Sequence, residues 1–122
     1  MACHAAIIPV VLDSDGVVLD QGRTVRNATR AQRRALRAMY ATCAIPGCRV
    51  ASGHCQPHHI RWWVEHGGPT DLHNLLPLCS RHHHCVHEGG WQIVMHPDRS
   101  LTITYTDGSV QETGPPGAER AA

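Results

Sequence analysis

The chain has 122 residues and a mass of 13.4 kDa, enough for one hydrophobic core, and with three Trp, two Tyr and no Phe that core is short of large side chains. Eleven Arg and no Lys stand against ten acids for a formal net charge of +1, which excludes a uniformly polybasic, histone-like protein. Six Cys and eleven His are the anomaly: residues 43–87 hold five of the Cys and nine of the His, and this concentration points to metal ligation.

In chain order, the apolar stretch Ala5–Leu12 comes first. It is too short to span a bilayer and no basic segment precedes it, so neither a transmembrane helix nor a signal peptide is expected. The expected setting is the cytoplasm, with no membrane partner, and there the thiols stay reduced and serve as zinc ligands or spare core groups rather than disulfides. Ile7–Leu12 and Val17–Leu19 flank Ser14-Asp15-Gly16, a hairpin signal. Thr29 is placed to cap a helix, with Gln32 completing a capping box and Leu36, Met39 and Tyr40 forming the buried stripe. Arg30, Arg33, Arg34 and Arg37 fall on the opposite face at i, i+3, i+4 and i+7. That row reads either as a solvated helix face or as a ridge for phosphates, and the second is favoured because residues 21–64 carry eight Arg and no acid.

Cys43 to Cys48 encloses a tight Ala-Ile-Pro-Gly loop, after which Cys55–Trp63 reads as a strand and Gly67-Gly68-Pro69 as a turn. Leu72–Leu78 is a second apolar run and Ser80–Glu88 a short helix stopped by Gly89-Gly90, so the centre of the chain is strand, loop, strand, helix. Trp91–Met95 and Leu101–Tyr105, joined through Pro97-Asp98, alternate as a closing hairpin, and Gly114–Ala122 is expected to be a disordered tail.

Cys43-x4-Cys48 and Cys79-x2-His82 are two ligand pairs about thirty residues apart, the spacing at which two knuckles clamp one tetrahedral zinc. Cys55-x2-His58 is a competing pair that would draw His58 into a structural role. His58 and His59 adjoin on a strand, so their side chains leave opposite faces and can do different work. On the following helix His83 and His87 are i and i+4 and can chelate one ion, while His82 is turned about 100° away toward the knuckle. His54, His66, His73, His84 and His96 read as incidental. Arg61, next to the histidine pair, is the best-placed single cation, with Arg81 a weaker one. Trp62 and Trp63 suggest base stacking, with core packing the stronger reading for at least one of them.

These residues carry a resemblance. His58-His59-Ile60, Gly67-Gly68-Pro69-Thr70-Asp71-Leu72 with Asn74-Leu75, and Leu78-Cys79-Ser80-Arg81-His82-His83 ending at His87 resemble the HNH endonuclease signature in its zinc-framed version, over residues 43–90. Gly22-Arg23-Thr24, Ala31-Gln32-Arg33-Arg34-Ala35-Leu36 and Glu88-Gly89-Gly90-Trp91 resemble a bacterial subgroup in which this module ends a longer protein with an N-terminal domain of unknown function. The resemblance then implies a fragment or shortened form of such a protein.

It further implies an α+β fold of ββα-metal type, with residues 1–42 as N-terminal hairpin and Arg-rich helix, 43–90 as nuclease core and 91–122 as closing hairpin and tail, all in one domain. By the same resemblance His58 takes the first metal-ligand place, His59 the general base, Asn74 the residue that holds the loop and orients that base, and His83 and His87 further ligands. The expected cofactors are a structural zinc at Cys43, Cys48, Cys79 and His82 and a catalytic divalent ion. An imidazole shell suits zinc, nickel, cobalt or manganese better than magnesium. The expected function is hydrolysis of phosphodiester bonds in nucleic acid, DNA above all. The rival readings are a non-catalytic zinc-ribbon module that binds nucleic acid through its Arg ridge and an inactive remnant of a longer nuclease.

Overall fold

Residues 19–23, 26–62 and 66–117 are described by a computed structural model. The expected hairpin at Ile7–Leu12 and Val17–Leu19 lies outside these residues apart from Leu19, which is buried. Residues 118–122 of the expected tail and Trp63 also lie outside them.

Helix α1 spans Arg30–Met39 and begins as its sequence dictates. The Thr29 hydroxyl accepts the Gln32 backbone N–H at 3.1 Å, and the Gln32 side-chain oxygen accepts the Thr29 N–H at 2.9 Å, which satisfies two of the donors a helix start leaves unpaired. Leu36 and Tyr40 are buried and Met39 packs partly buried beside them. After α1 the chain closes the Cys43–Cys48 loop, where Gly47 turns at φ 80 and lets the Cys48 N–H reach the Ile45 carbonyl at 3.1 Å.

Strand β1 (Gln56–His59) pairs antiparallel with β2 (Leu75–Leu78), His58 opposite Leu76 and His59 opposite Leu75. The Cys55–Trp63 segment is therefore shorter as a strand than its composition suggests, because beyond His59 the chain bends into a loop held by Asn74. Likewise Leu72–Asn74 is a single 3₁₀ turn before β2. All four β2 residues are buried, and Leu75, Leu76 and Leu78 expose no surface, each worth about 1.5–3 kcal/mol of transfer free energy. Helix α2 (Ser80–His87) follows at once, with Cys79 as its N-cap residue and Val86 turned inward.

The closing region has three strands rather than the two expected: β3 (Gln92–Met95), β4 (Leu101–Thr104) and β5 (Val110–Thr113), all antiparallel in that order. The missed strand follows a second tight turn, where Asp107 accepts the Ser109 N–H at 2.8 Å and Gly108 turns at φ 86. Leu101 and Ile103 of β4 face the core. Arg99, in the β3–β4 turn, reaches across the molecule to the Tyr40 hydroxyl at 3.0 Å and the Leu72 carbonyl at 3.0 Å, tying this sheet to the end of α1 and the start of β2. The described residues thus form a small α+β fold of two antiparallel sheets and two α-helices. None of these helices is long and apolar enough to cross a membrane.

Candidate metal centre and histidine cleft

The loop after α1 and the β2–α2 junction meet at four ligand atoms. The Sγ atoms of Cys43, Cys48 and Cys79 and a ring nitrogen of His82 all lie within 4.8 Å of one another. Cys79 Sγ stands 3.3 Å and Cys43 Sγ 3.6 Å from His82 Nδ1, and Cys48 Sγ stands 3.9 Å from Cys79 Sγ. A tetrahedral zinc with Zn–S of about 2.3 Å and Zn–N of about 2.0 Å requires edges of roughly 3.8 Å between sulfurs and roughly 3.5 Å between sulfur and nitrogen. These three edges lie close to those values, so the cluster could hold a metal ion.

The surroundings suit thiolate ligands. The Cys79 backbone N–H donates to Cys43 Sγ at 3.4 Å. Burial tends to raise the Cys79 thiol, yet the backbone N–H groups of His82 and Arg81 and the thiols of Cys48 and Cys43 bring it net below the ordinary thiol value. Burial holds Cys43 up in the protein without metal, so loading the site would release protons. Burial, with Arg81 beside it, keeps His82 in the neutral form that ligates.

Cys55 is not one of the four. Its thiol donates to the Ala51 carbonyl at 3.5 Å and the Val50 carbonyl at 3.9 Å, while His58 packs against His83, so the alternative pair Cys55-x2-His58 does not converge. Strand alternation accounts for this separation: His58 emerges toward α2, away from the Cys55 thiol.

On that side of β1 the His58 ring meets His83 edge-on at 5.0 Å between centroids, and His83 stacks on His87 at 5.6 Å. His58 is 5% exposed, and its Nε2 is buried with no hydrogen-bond partner. Desolvation first, then the neighbouring His83, His87 and His59, push its pKa down to about 3. Burial and His87 likewise hold His83 below the ordinary imidazole value. These three rings converge less tightly than the Cys3His cluster; two of them, His58 and His87, line a cleft of about 400 Å³ with Trp62, His66 and Trp91. Trp62 lies between His66, stacked at 5.4 Å, and His87, tilted at 4.7 Å.

His59 leaves the opposite face of β1. Its Nε2 lies 2.8 Å from the hydroxyl of Thr70, which is completely buried. Desolvation, then the charges of Arg26 and Arg23, lower its pKa, so the imidazole is neutral at physiological pH. Neither arginine nor Thr70 stood out in the sequence as part of a site. Membership of Arg23 and Arg26 in the basic block of residues 21–64 was the available signal; Thr70 had its place in the glycine-rich stretch of the HNH-like signature and no assigned role.

Asn74, expected to hold the loop and orient His59, does the first directly. Its Oδ1 accepts the Arg61 N–H at 2.9 Å, and its Nδ2 donates to the Pro69 and Arg61 carbonyls at 2.8 and 3.2 Å. The His59 ring meets the Thr70 hydroxyl, while the Asn74 side chain bonds to the backbone of the loop. Gly68 packs so tightly on the Arg61 carbonyl that a Cβ there could not be accommodated. Arg61 itself is exposed, with Nη2 donating to the His66 carbonyl at 3.3 Å.

Arg30, Arg33, Arg34 and Arg37 are all exposed along α1, and among the described residues none forms an ion pair. A second group, Asp20, Asp71 and His73, also brings ligand atoms together. Its carboxylates already accept the Leu72 and Gly22 N–H groups, which is sufficient structural employment.

No protein-family model matches the chain, and no solved structure matches it significantly. Two proteins of Mycobacterium tuberculosis (strain ATCC 25618 / H37Rv) are similar. "Uncharacterized protein Rv1128c" is 34% identical over 91 residues, 75% of this chain and 20% of that protein. "Uncharacterized protein Rv2100" is 35% identical over 75 residues, 61% of this chain and 13% of that protein. The chain therefore spans no more than about a fifth of the length of these curated relatives.

Proposed function

We propose that the chain is an HNH-type, ββα-metal nuclease module that hydrolyses DNA phosphodiester bonds, with a structural zinc at Cys43, Cys48, Cys79 and His82 and a catalytic divalent ion at His58, His83 and His87. The observation that carries this reading is the buried, unpartnered Nε2 of His58 in the company of two further imidazoles. A buried polar atom without a partner costs about 1–3 kcal/mol, and a cation is the partner that neighbouring imidazole nitrogens suit. When bound, the ion supplies charge stabilisation at the phosphoryl oxygens and at the leaving oxygen.

The remaining work falls to this chain. His59, neutral and beside Arg23 and Arg26, accepts the proton of the attacking water as its oxygen bonds to phosphorus. The P–O3′ bond breaks, and the leaving oxygen is protonated from solvent. Arg23 and Arg26 place positive charge where a phosphate would approach His59. Asn74 keeps the Arg61 and Pro69 backbone in register, so that the loop bearing Thr70 stays against β1. The ridge of Arg30, Arg33, Arg34 and Arg37 supplies sequence-independent phosphate contacts.

The test is nicking of supercoiled plasmid by the zinc-loaded protein with added Mn²⁺, Ni²⁺, Co²⁺ or Mg²⁺, and with chelator. His59→Ala should retain fold, zinc and second-metal binding while losing roughly 10²-fold or more of the cleavage rate. His58→Ala and His83→Ala should instead weaken the second metal. A parent protein that never nicks DNA in any divalent metal would leave the non-catalytic zinc module as the better reading.

A further inference from the structure

Besides His58 Nε2, one buried side-chain polar atom lacks a hydrogen-bond partner among the described residues: Ser52 Oγ. Ser52 is 8% exposed and its backbone is committed, the N–H donating to the Ala41 carbonyl at 2.9 Å and the carbonyl accepting the Cys55 N–H at 3.0 Å. Only the hydroxyl proton is left to give.

Ser52 lines a cavity of about 20 Å³ together with Arg33, Leu36, Arg37, Cys55 and Pro57, between α1 and the start of β1. That volume holds one oxygen atom, either a water or a corner of an oxyanion. The side chains of Leu36 and Pro57 offer no donor, and the Cys55 thiol is turned to the Ala51 and Val50 carbonyls. Arg33 and Arg37 stand one helical turn apart, are exposed, and among the described residues make no side-chain hydrogen bond or ion pair. The Arg37 stem passes over the turn that Ser52 opens, with its Cδ 3.9 Å from where a Cβ on Gly53 would stand. Residues 21–64 hold no acid to neutralise the pair. A water would satisfy the hydroxyl and leave two like charges repelling across one turn, whereas an anion answers all three groups.

We propose that Ser52, Arg33 and Arg37 form a phosphate subsite: one phosphoryl oxygen enters the cavity and accepts the Ser52 hydroxyl proton, and the two guanidiniums bond the outer oxygens. The ligand is a phosphate of a polynucleotide backbone. Pro57 and His59 are alternate residues of β1 and share its face, so the subsite lies on the His59 side of the strand. The Arg row is then not uniform, since Arg33 and Arg37 seat one phosphate in a fixed place and Arg30 and Arg34 do not. The assignment to a nucleic-acid phosphate rests on the nuclease reading above; the phosphate site itself does not.

The experiment titrates full-length, zinc-loaded protein with inorganic phosphate at constant ionic strength and follows the arginine Nε–Hε signals by ¹H–¹⁵N correlation, with Arg33 and Arg37 assigned by their loss in Arg33→Lys and Arg37→Lys. Both signals should shift saturably and together, while those of Arg30 and Arg34 stay in place. Ser52→Ala removes a buried hydroxyl that has no internal partner, so it should melt no lower than the parent in phosphate-free buffer and bind phosphate about 10-fold more weakly. On a short DNA duplex with no second metal added, Ser52→Ala should lower affinity about 10-fold and leave the salt slope unchanged, because a neutral hydroxyl releases no counterion. Arg33→Gln or Arg37→Gln should lower both.

If the Arg33 and Arg37 signals of the parent do not shift saturably, the subsite is overturned whatever the variants do. A Ser52→Ala protein that binds phosphate as well as the parent overturns it too, and leaves a water on the hydroxyl. A Ser52→Ala protein that loses phosphate affinity and keeps DNA affinity overturns the backbone assignment in favour of free phosphate. A parent that meets every binding expectation and never nicks plasmid in any divalent metal overturns the nuclease reading while supporting the subsite.

Discussion

Replacing Cys48 with serine should unfold the protein, whereas replacing Cys55 should not. Cys48 Sγ is one of four ligand atoms drawn within 4.8 Å, and the Cys55 thiol points to the Val50 and Ala51 carbonyls. A structural zinc contributes roughly 10–16 kcal/mol of apparent binding free energy near neutral pH. At about 0.05–0.15 kcal/mol per residue, a chain of 122 residues has a total stability of about 6–18 kcal/mol. The metal term is therefore as large as the whole margin, and the scarcity of aromatic side chains leaves little to replace it. Backbone bonds from Cys43 to Val50, Ala44 to Pro77 and Cys48 to Ile45, with the Thr42–Ala51 bridge, shape the loop, and the metal is the group that would join it to Cys79 and His82. Thermal melting by circular dichroism, with zinc content by mass spectrometry of the native protein, reads both effects. Cys48→Ser should lose cooperative melting and bound zinc, and chelator should do the same to the parent. If Cys48→Ser kept both while Cys55→Ser lost them, the ligand set drawn from the geometry would be wrong.

Replacing any two of Arg30, Arg33, Arg34 and Arg37 with Gln should reduce the slope of log affinity for DNA against log salt by about two, as each exposed guanidinium that neutralises a phosphate releases about one counterion. An unchanged slope would return the ridge to ordinary surface. The depressed pKa of His58, about 3 in the folded protein against 6.5 for an ordinary imidazole, makes stability depend on pH. Between those values the unfolded chain binds a proton that the folded chain refuses, so the contribution is complete above pH 6.5 and is lost as pH falls toward 3, at up to about 1.4 kcal/mol per pH unit. Urea denaturation at pH 7, 6 and 5 with one equivalent of zinc, enough for the Cys3His cluster alone, should show His58→Gln losing stability more gently than the parent; parallel losses would sink the assignment.

Much of the fold was legible where structure is local. Thr29 and Gln32 form the capping box their spacing foretells, since both partners lie within one helical turn. The strand–loop–strand–helix order of residues 56–87 follows from short apolar runs broken by glycines. Strand β5 was missed because its residues Val110–Thr113 are exposed or half-exposed and lack the apolar alternation of a buried strand, although Asp107-Gly108 carries the same turn chemistry as Asp15-Gly16. The end of β1 was misjudged for a related reason: Ile60 and Trp62 continue the strand composition, but the clamp that bends them away comes from Asn74, thirteen residues on from Arg61.

Cysteine spacing was enough to mark Cys43, Cys48, Cys79 and His82 as a group, because each pair sits on a turn or helix start that fixes its two side chains relative to one another. Discarding Cys55 required coordinates, since only the direction of β1 shows that His58 emerges away from the Cys55 thiol. The surroundings of His59 were least legible of all. Thr70 is eleven residues from His59, the carbonyl that orients it belongs to Arg26, and the amide that steadies it belongs to Gln32, thirty-eight residues from Thr70. No periodicity links such positions. What joins them is hydrogen-bond accounting: the buried Thr70 hydroxyl and Gln32 amide find their partners on segments far away in the chain. The same accounting, unmet at His58 Nε2, marks the cleft on the other side of the strand as the place for a ligand. One strand thus carries a satisfied histidine on one face and an unsatisfied one on the other, the division of labour that a base and a metal ligand would need.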